Sequence, residues 1–199
     1  REDSKMSGRV YERAPVTYWD HFLNDRETHV WVTTLEGRTP TSPTLAARRA
    51  LPPQDPGAGS YDISPDGKEL AFVADTDATG IQSNADVFVV PMADESSNAG
   101  APATPVVATN LTPGNPADDA NPLYSPDGQW LAYTRKAIPT FYADTQKLVL
   151  RSRKDGTTRT LAANFDRSAD GLVWTPDAKA LYGSIDDAAT RRVYRFDVA

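Results

Sequence analysis

Apolar and polar positions alternate along this chain in short bursts, and three of the bursts are broken by the same turn. Ser60–Val73 reads SYDISPDGKELAFV, Asn121–Thr134 reads NPLYSPDGQWLAYT, and Gly171–Ser184 reads GLVWTPDAKALYGS. The three align without a gap on Asp66, Asp127 and Asp177. Before the turn stand Tyr61 and Ile63, Leu123, and Leu172 and Trp174; after it stand Leu70 and Phe72, Leu131 and Tyr133, and Leu181. A period of two marks a half-buried strand, so each copy predicts a β-hairpin. Tyr124 and Tyr182 fall out of phase with this alternation.

The turn itself has a physical reading. Pro65, Pro126 and Pro176 preset φ near about −65° at the second turn position, Asp tolerates the third, and Gly67 and Gly128 supply a positive φ at the fourth. The predicted structural turns are therefore Ser64, Pro65, Asp66 and Gly67; Ser125, Pro126, Asp127 and Gly128; and Thr175, Pro176 and Asp177. Ala178 occupies the glycine place of the third copy. A left-handed alanine costs about 1 kcal/mol, so this turn must carry strain or change type.

Each hairpin is followed by a further strand pattern: Asp86–Val90, Lys147–Arg151 and Val193–Val198. His29–Thr33, HVWVT, reads as the same element of an earlier unit that lacks its hairpin. A weaker fourth strand is expected at Thr157–Leu161, after the Lys154-Asp155-Gly156 turn. The Ala-, Ser-, Asn- and Pro-rich stretch Ala93–Pro105 reads as an insertion that lengthens the first repeat. Four antiparallel strands in about 50 residues is the period of a propeller blade. The expected architecture is all-β, a partial β-propeller of four-stranded antiparallel blades, about three and a half in number and too few to close a ring. It forms one domain over residues 1–199: an incomplete blade at 1–58, blades at 59–115 and 116–167, and an incomplete blade at 168–199. Its open ends are expected to expose strand edges and side chains such as Trp19, Trp31 and Tyr194, and to recruit the remainder of the polypeptide or a second copy.

Composition agrees with short strands and tight turns. Asp outnumbers Glu within the 27 acids, and 12 Gly and 16 Pro disfavour long helices. The net charge of −6 disfavours nucleic acid and anionic membrane as partners, since phosphate binding needs a basic patch. With no cysteine, disulfides, zinc thiolates and a cysteine nucleophile are excluded, and the compartment stays open between cytoplasm and an exported location. Residue 1 is Arg with no signal peptide after it, as expected of a trimmed or excised piece.

The S-P-D-G repeats resemble the TolB-type propeller repeat, which also builds the propeller of the prolyl oligopeptidase (S9) family of serine peptidases. The stretch Arg9–Leu35, with Pro15-Val16, Trp19-Asp20 and His29-Val30-Trp31-Val32, resembles a segment of acylaminoacyl-peptidase-like and dipeptidyl-peptidase-like S9 enzymes. The resemblance implies a propeller that caps an α/β-hydrolase domain, gates the access of short peptides to it, and holds no catalytic residue. The sequence agrees, in that no G-x-S-x-G nucleophile elbow occurs. Two other readings remain open: a TolB-like propeller scaffold for protein–protein binding, and a propeller lyase with its site on the ring face.

Other candidates are weaker. Asp75, Asp77, Thr79, Gly80 and Asp86 match positions of a calcium loop, but the last position lacks the usual glutamate and the flanks are strands. His21 and His29 offer two metal ligands where sites generally need more. The basic pairs Arg48-Arg49, Arg135-Lys136 and Arg191-Arg192 are candidates for a peptide carboxylate, and Ile138, Phe141 and Tyr142 for an exposed docking loop. No catalytic residue, metal ligand or cofactor is assigned.

Overall fold

The computed structural model describes residues 17–18, 21–22, 26–37, 39–52, 56–77, 82, 84–92 and 106–199. It is all-β in character, with three antiparallel sheets formed in chain order. Strands β1 (Thr17–Tyr18) and β2 (His21–Phe22) make a small pair, and helix α1 (Pro43–Ala46) is a single turn. The first sheet comprises β3 (Tyr61–Ile63), β4 (Glu69–Asp75), β5 (Ala85–Pro91) and β6 (Thr109–Asn110). The second comprises β7 (Asp119–Tyr124), β8 (Trp130–Arg135), β9 (Lys147–Ser152) and β10 (Thr158–Thr160). The third comprises β11 (Asp170–Trp174), β12 (Ala180–Asp187) and β13 (Thr190–Asp197). Every sheet is a simple meander with its first strand at one edge. This is a partial, propeller-like fold.

The three P-D turns share one set of hydrogen bonds. In the first, Ser64 Oγ donates to Asp66 Oδ1 at 2.6 Å, and the Glu69 amide donates to Ser64 Oγ at 3.0 Å. The Gly67 amide donates to the Ser64 carbonyl at 2.8 Å, and the Lys68 amide to Asp66 Oδ1 at 3.2 Å. Ser125, Asp127 and the Trp130 amide repeat this at 2.5 and 2.9 Å, and Thr175, Asp177 and the Ala180 amide at 2.6 and 3.0 Å. Ala178 keeps the turn type and bears the strain: its φ is 56°, against 69° for Gly67 and 68° for Gly128.

The out-of-phase tyrosine before the second turn has a structural cause. The β7–β8 register shifts between Ala120 and Leu123, where Asn121 takes φ 54°; β11–β12 shifts at the matching place, where Gly171 takes φ 56°. A bulge inserts one residue and exchanges the faces beyond it. Tyr124 and Trp174 are thereby turned toward the preceding sheet and buried.

The sheets stack face to face. Leu70, Phe72, Ala74, Phe88 and Val90 of the first sheet pack with Val30 and Leu51. Its other face, Ala71 and Val87, packs on Tyr124, Leu131, Tyr133 and Val149 of the second. Ala132, Leu148 and Leu150 then pack on Trp174, Leu181, Ile185 and Phe196 of the third. Among the described residues, none covers the far face of the third sheet: Val173, Tyr182 and Val193 are 60%, 40% and 71% exposed.

Two expectations need correction. Among the described residues, His29–Thr33 joins no sheet and pairs by the single bridge of Val32 with Thr41, after which Ser42 caps α1. Tyr194 does not face outward. On β13 it shares the Phe196 side, packs on Phe165 with centroids 5.5 Å apart, and donates to Asp187 at 2.7 Å. Trp31 is exposed as expected, whereas Trp19 and Ala93–Pro105 lie outside the described residues.

Gly67→Ala would place a Cβ in open space at φ 69°, so its cost is backbone strain alone. Urea denaturation is expected to show a loss of about 1 kcal/mol. Ala178→Gly relieves the same strain but removes a buried methyl and loosens the unfolded chain, so its change is expected to be smaller. An unchanged midpoint for Gly67→Ala would show that the turn does not need the left-handed residue.

Candidate functional site

Beside the apolar packing, polar groups also join the sheets, mainly at the two ends of the stack. At the end that carries the P-D turns, Tyr124 reaches back to the first sheet, and its hydroxyl donates to Glu69 Oε1 at 2.5 Å. Arg153 lies over the Tyr124 ring at 4.9 Å and 3.5 Å from Glu69. Burial, with the Glu69 contact second, holds the Tyr124 hydroxyl far above its ordinary pKa, so it acts only as a neutral donor. Trp174, the matching residue of the third sheet, donates from Nε1 to the Leu123 carbonyl of the second at 3.2 Å. The Tyr124 amide donates to Asp62 Oδ2 at 2.7 Å; burial raises the Asp62 pKa, and this bond opposes the rise.

The opposite end holds a charged network. Asp119, fully buried, accepts from Arg135 Nε at 2.9 Å and from Asn115. Lys136 pairs with Asp118 at 3.2 Å, and Asp118 also accepts the Ala85 amide of the first sheet at 3.1 Å. Ser168 repeats that last tie one unit later, accepting the Gln146 amide of the second sheet at 3.0 Å. Asp86 is buried beside this network and accepts from Asn110 at 2.6 Å. Burial raises the pKa of both Asp86 and Asp119, more than their partners lower it.

These contacts decide several candidates. Arg135-Lys136 is spent on Asp119 and Asp118. Arg191 contacts Asp170 and Arg192 contacts Asp187, at 3.2 and 3.3 Å. Arg49 lies over Phe88 at 5.1 Å, and Arg48 is exposed. In the calcium-like loop, Asp75 Oδ1 accepts the Asp77 and Asn84 amides, and Asp77 Oδ2 accepts the Gln82 amide. Those carboxylates close a turn, and Asp86 points into the sheet; Thr79 and Gly80 lie outside the described residues. His29 sits between Thr44 Oγ1 at 3.2 Å and Glu27 at 3.4 Å; the His21 side chain, Trp19 and Asp20 lie outside the described residues. Among the described residues, no group of three or more His, Asp or Glu side chains has the arrangement of a metal site. Ile138, Phe141 and Tyr142 are exposed on a loop that Asp144 holds by accepting the Ala137 and Ile138 amides.

Sequence reasoning missed the inter-sheet ties. Asp119 and Arg135 face each other in the β7–β8 register, a pairing implied once the Ser125–Gly128 turn is assigned. The Asp118 and Ser168 ties cross between sheets, and the sequence carries no signal for those.

No family model matches the chain. It is similar to dipeptidyl-peptidase 5 of Aspergillus fumigatus, 28% identical over 204 residues, and to that of Aspergillus oryzae, 30% identical over 206 residues; each alignment covers 94% of this chain. A probable dipeptidyl-peptidase 5 of Aspergillus clavatus is 32% identical over 212 residues, covering 97% of this chain. The chain spans 28% of the length of each of these relatives.

Two opposed titrations follow from the site chemistry. Hydrogen bonds from Ser64 and Thr175, with the following amides, hold Asp66 and Asp177 below the ordinary value of 3.8. Their contribution is present above that value and lost as pH falls through the depressed one. Asp86 and Asp119 have raised values, so their contribution falls as pH rises above 3.8. The double variant Asp66→Asn and Asp177→Asn is expected to lose less stability than the parent on acidification below 3.8, as read by urea midpoints. Equal acid slopes would contradict the assignment. Asp119→Ala is expected to cost about 3 kcal/mol in a urea denaturation, at the low end for a broken buried pair because Arg135 is 35% exposed and can reach water.

Proposed function

We propose that this chain is the non-catalytic propeller part of an S9-type serine peptidase and gates the entry of short peptides to an α/β-hydrolase domain elsewhere in the polypeptide. The observation that carries this reading is the coverage: similarity to proteins named dipeptidyl-peptidase 5 runs along 94% of this chain and only 28% of the relative's length. The missing nucleophile elbow fits the same division. Hydrolysis in the whole protein would proceed by Ser–His–Asp acyl transfer, with none of the three groups supplied here.

The stack supports a gating role by its geometry. Its first strands, β3, β7 and β11, each stand at the edge of a narrow sheet. Further sheets continuing this stack would bring those edges around a common passage. Such a passage admits an extended peptide and excludes a folded protein. Polar ties between the sheets make its wall stiff.

The partner of the third sheet is, on this reading, the remainder of the polypeptide. Val173, Tyr182 and Val193 form an apolar surface on the one sheet face that no described residue covers. Burying several hundred Å2 there at about 25 cal/mol per Å2 returns on the order of 10 kcal/mol, comparable with the stability of a whole domain.

A fluorophosphonate probe tests the division of labour. In the longest natural polypeptide that carries residues 1–199, mass spectrometry is expected to find the label on a serine outside them. The isolated chain is expected to remain unlabelled and to leave p-nitroanilide peptides uncleaved. Covalent label on any of the serines of this chain would overturn the proposal.

A further inference from the structure

A cleft lies between the first and second sheets, at the end that carries the P-D turns. It is an open cleft of about 750 Å3. Both sheets line it, and the second also contributes Trp130 and Leu131. The first sheet contributes Val89 of β5 and Leu111, which follows β6. The second contributes Arg151, Arg153 and Lys154, from the end of β9 and the turn after it. In a chain of net charge −6, three cations on one wall form a local reversal of sign.

The two arginines are held in place by backbone. Arg151 Nη1 donates to the Gly156 carbonyl at 2.8 Å, and Arg153 Nη1 donates to the Gly128 carbonyl at 2.9 Å. Gly156 takes φ 73°, and a Cβ there would meet Arg151 Nη2 at 2.8 Å, so the turn makes room for the guanidinium. Glu69 is the one carboxylate lining the cleft, and it is engaged by Tyr124 and Arg153. The turn carboxylates at this end are occupied as well: Asp66 and Asp127 bind their own turns, and Asp155 accepts from Thr157. Among the described residues, Arg151 and Lys154 have no carboxylate partner within 4.0 Å. Preorganised guanidinium groups with donors to spare are the usual receptors for carboxylates.

We propose that this cleft binds an extended peptide in which acidic and apolar side chains alternate. An extended chain sends successive side chains to opposite sides. One set would lie on Val89 and Leu111, while the other brings its carboxylates to Arg151 and Lys154. The site is separate from the gating role and does not depend on it.

Fluorescence anisotropy tests this directly on the longest natural polypeptide that carries the chain. The probe is a fluorescein-labelled, C-terminally amidated pentapeptide of alternating glutamate and leucine, titrated at low salt. Saturable binding is expected, weakening as salt is added. Two control peptides, with glutamine or lysine in place of glutamate, are expected to bind at least about tenfold more weakly, the value of one lost charge contact. Lys154→Gln, in an exposed turn, is expected to weaken the acidic probe, and Arg151→Gln with Lys154→Gln to weaken it by about tenfold or more while leaving the glutamine peptide unaffected. Circular dichroism checks that the variants are folded, and Lys154→Gln alone keeps the test valid if the double variant is not. Equal binding of the glutamine and glutamate peptides, an unchanged affinity in folded Lys154→Gln, or no binding of the acidic probe would each overturn the proposal.

Discussion

One hydroxyl in each repeat does two jobs, and the stack rests on it. Ser64, Ser125 and Thr175 each donate to the carboxylate two residues on and accept the amide five residues on. That clamp fixes the register between the first two strands of its sheet. A slip of one residue would send every side chain to the opposite face. These sheets present apolar residues on both faces, so a slip would spoil two interfaces at once. Ser64 and Ser125 are buried although each stands at the tip of a hairpin, and Thr175 is half-buried.

The rest of the architecture follows from narrowness. A sheet of three or four short strands cannot bury either face alone, so the first packs on the second and the second on the third. The bulges at Asn121 and Gly171 turn Tyr124 and Trp174 back onto the previous sheet, where one donates to Glu69 and the other to the Leu123 carbonyl. Asp118 and Ser168 add backbone ties at the far end. Both pairs occupy equivalent places in the second and third repeats, aligned on Asp127 and Asp177, so the same devices tie each of these two sheets to the one before it.

Much of this was legible in the chain because turn chemistry is local. Pro-Asp-Gly between alternating runs specifies a hairpin with little help from elsewhere, and the strands at Asp86–Val90 and Lys147–Arg151 follow from β-branched and aromatic alternation. What escaped depends on distant partners. HVWVT has strand composition, yet Val30 is taken by the first sheet's core and only Val32 bridges, to Thr41. Tyr194 reads as outward until Phe165 and Asp187 are seen to claim it. The Arg135-Lys136 pair reads as a site for a bound carboxylate, whereas Asp118 and Asp119 already neutralise it. In each case the residue itself was visible, and what fixed its role lay elsewhere in the chain.

On the proposed reading, the third sheet is an internal member of a longer stack, and further chain covers the face where Val173, Tyr182 and Val193 are exposed. Val193 is 71% exposed on that face, on the edge strand β13, and the chain has no cysteine of its own. The direct measurement is the rate of maleimide labelling of Val193→Cys, followed peptide by peptide in the isolated chain and in the longest natural polypeptide that carries it. The account predicts rapid labelling in the isolated chain and labelling slowed by about a hundredfold or more in the longer one, the signature of a buried thiol that reacts only through rare local opening. Equal rates in the two would contradict it.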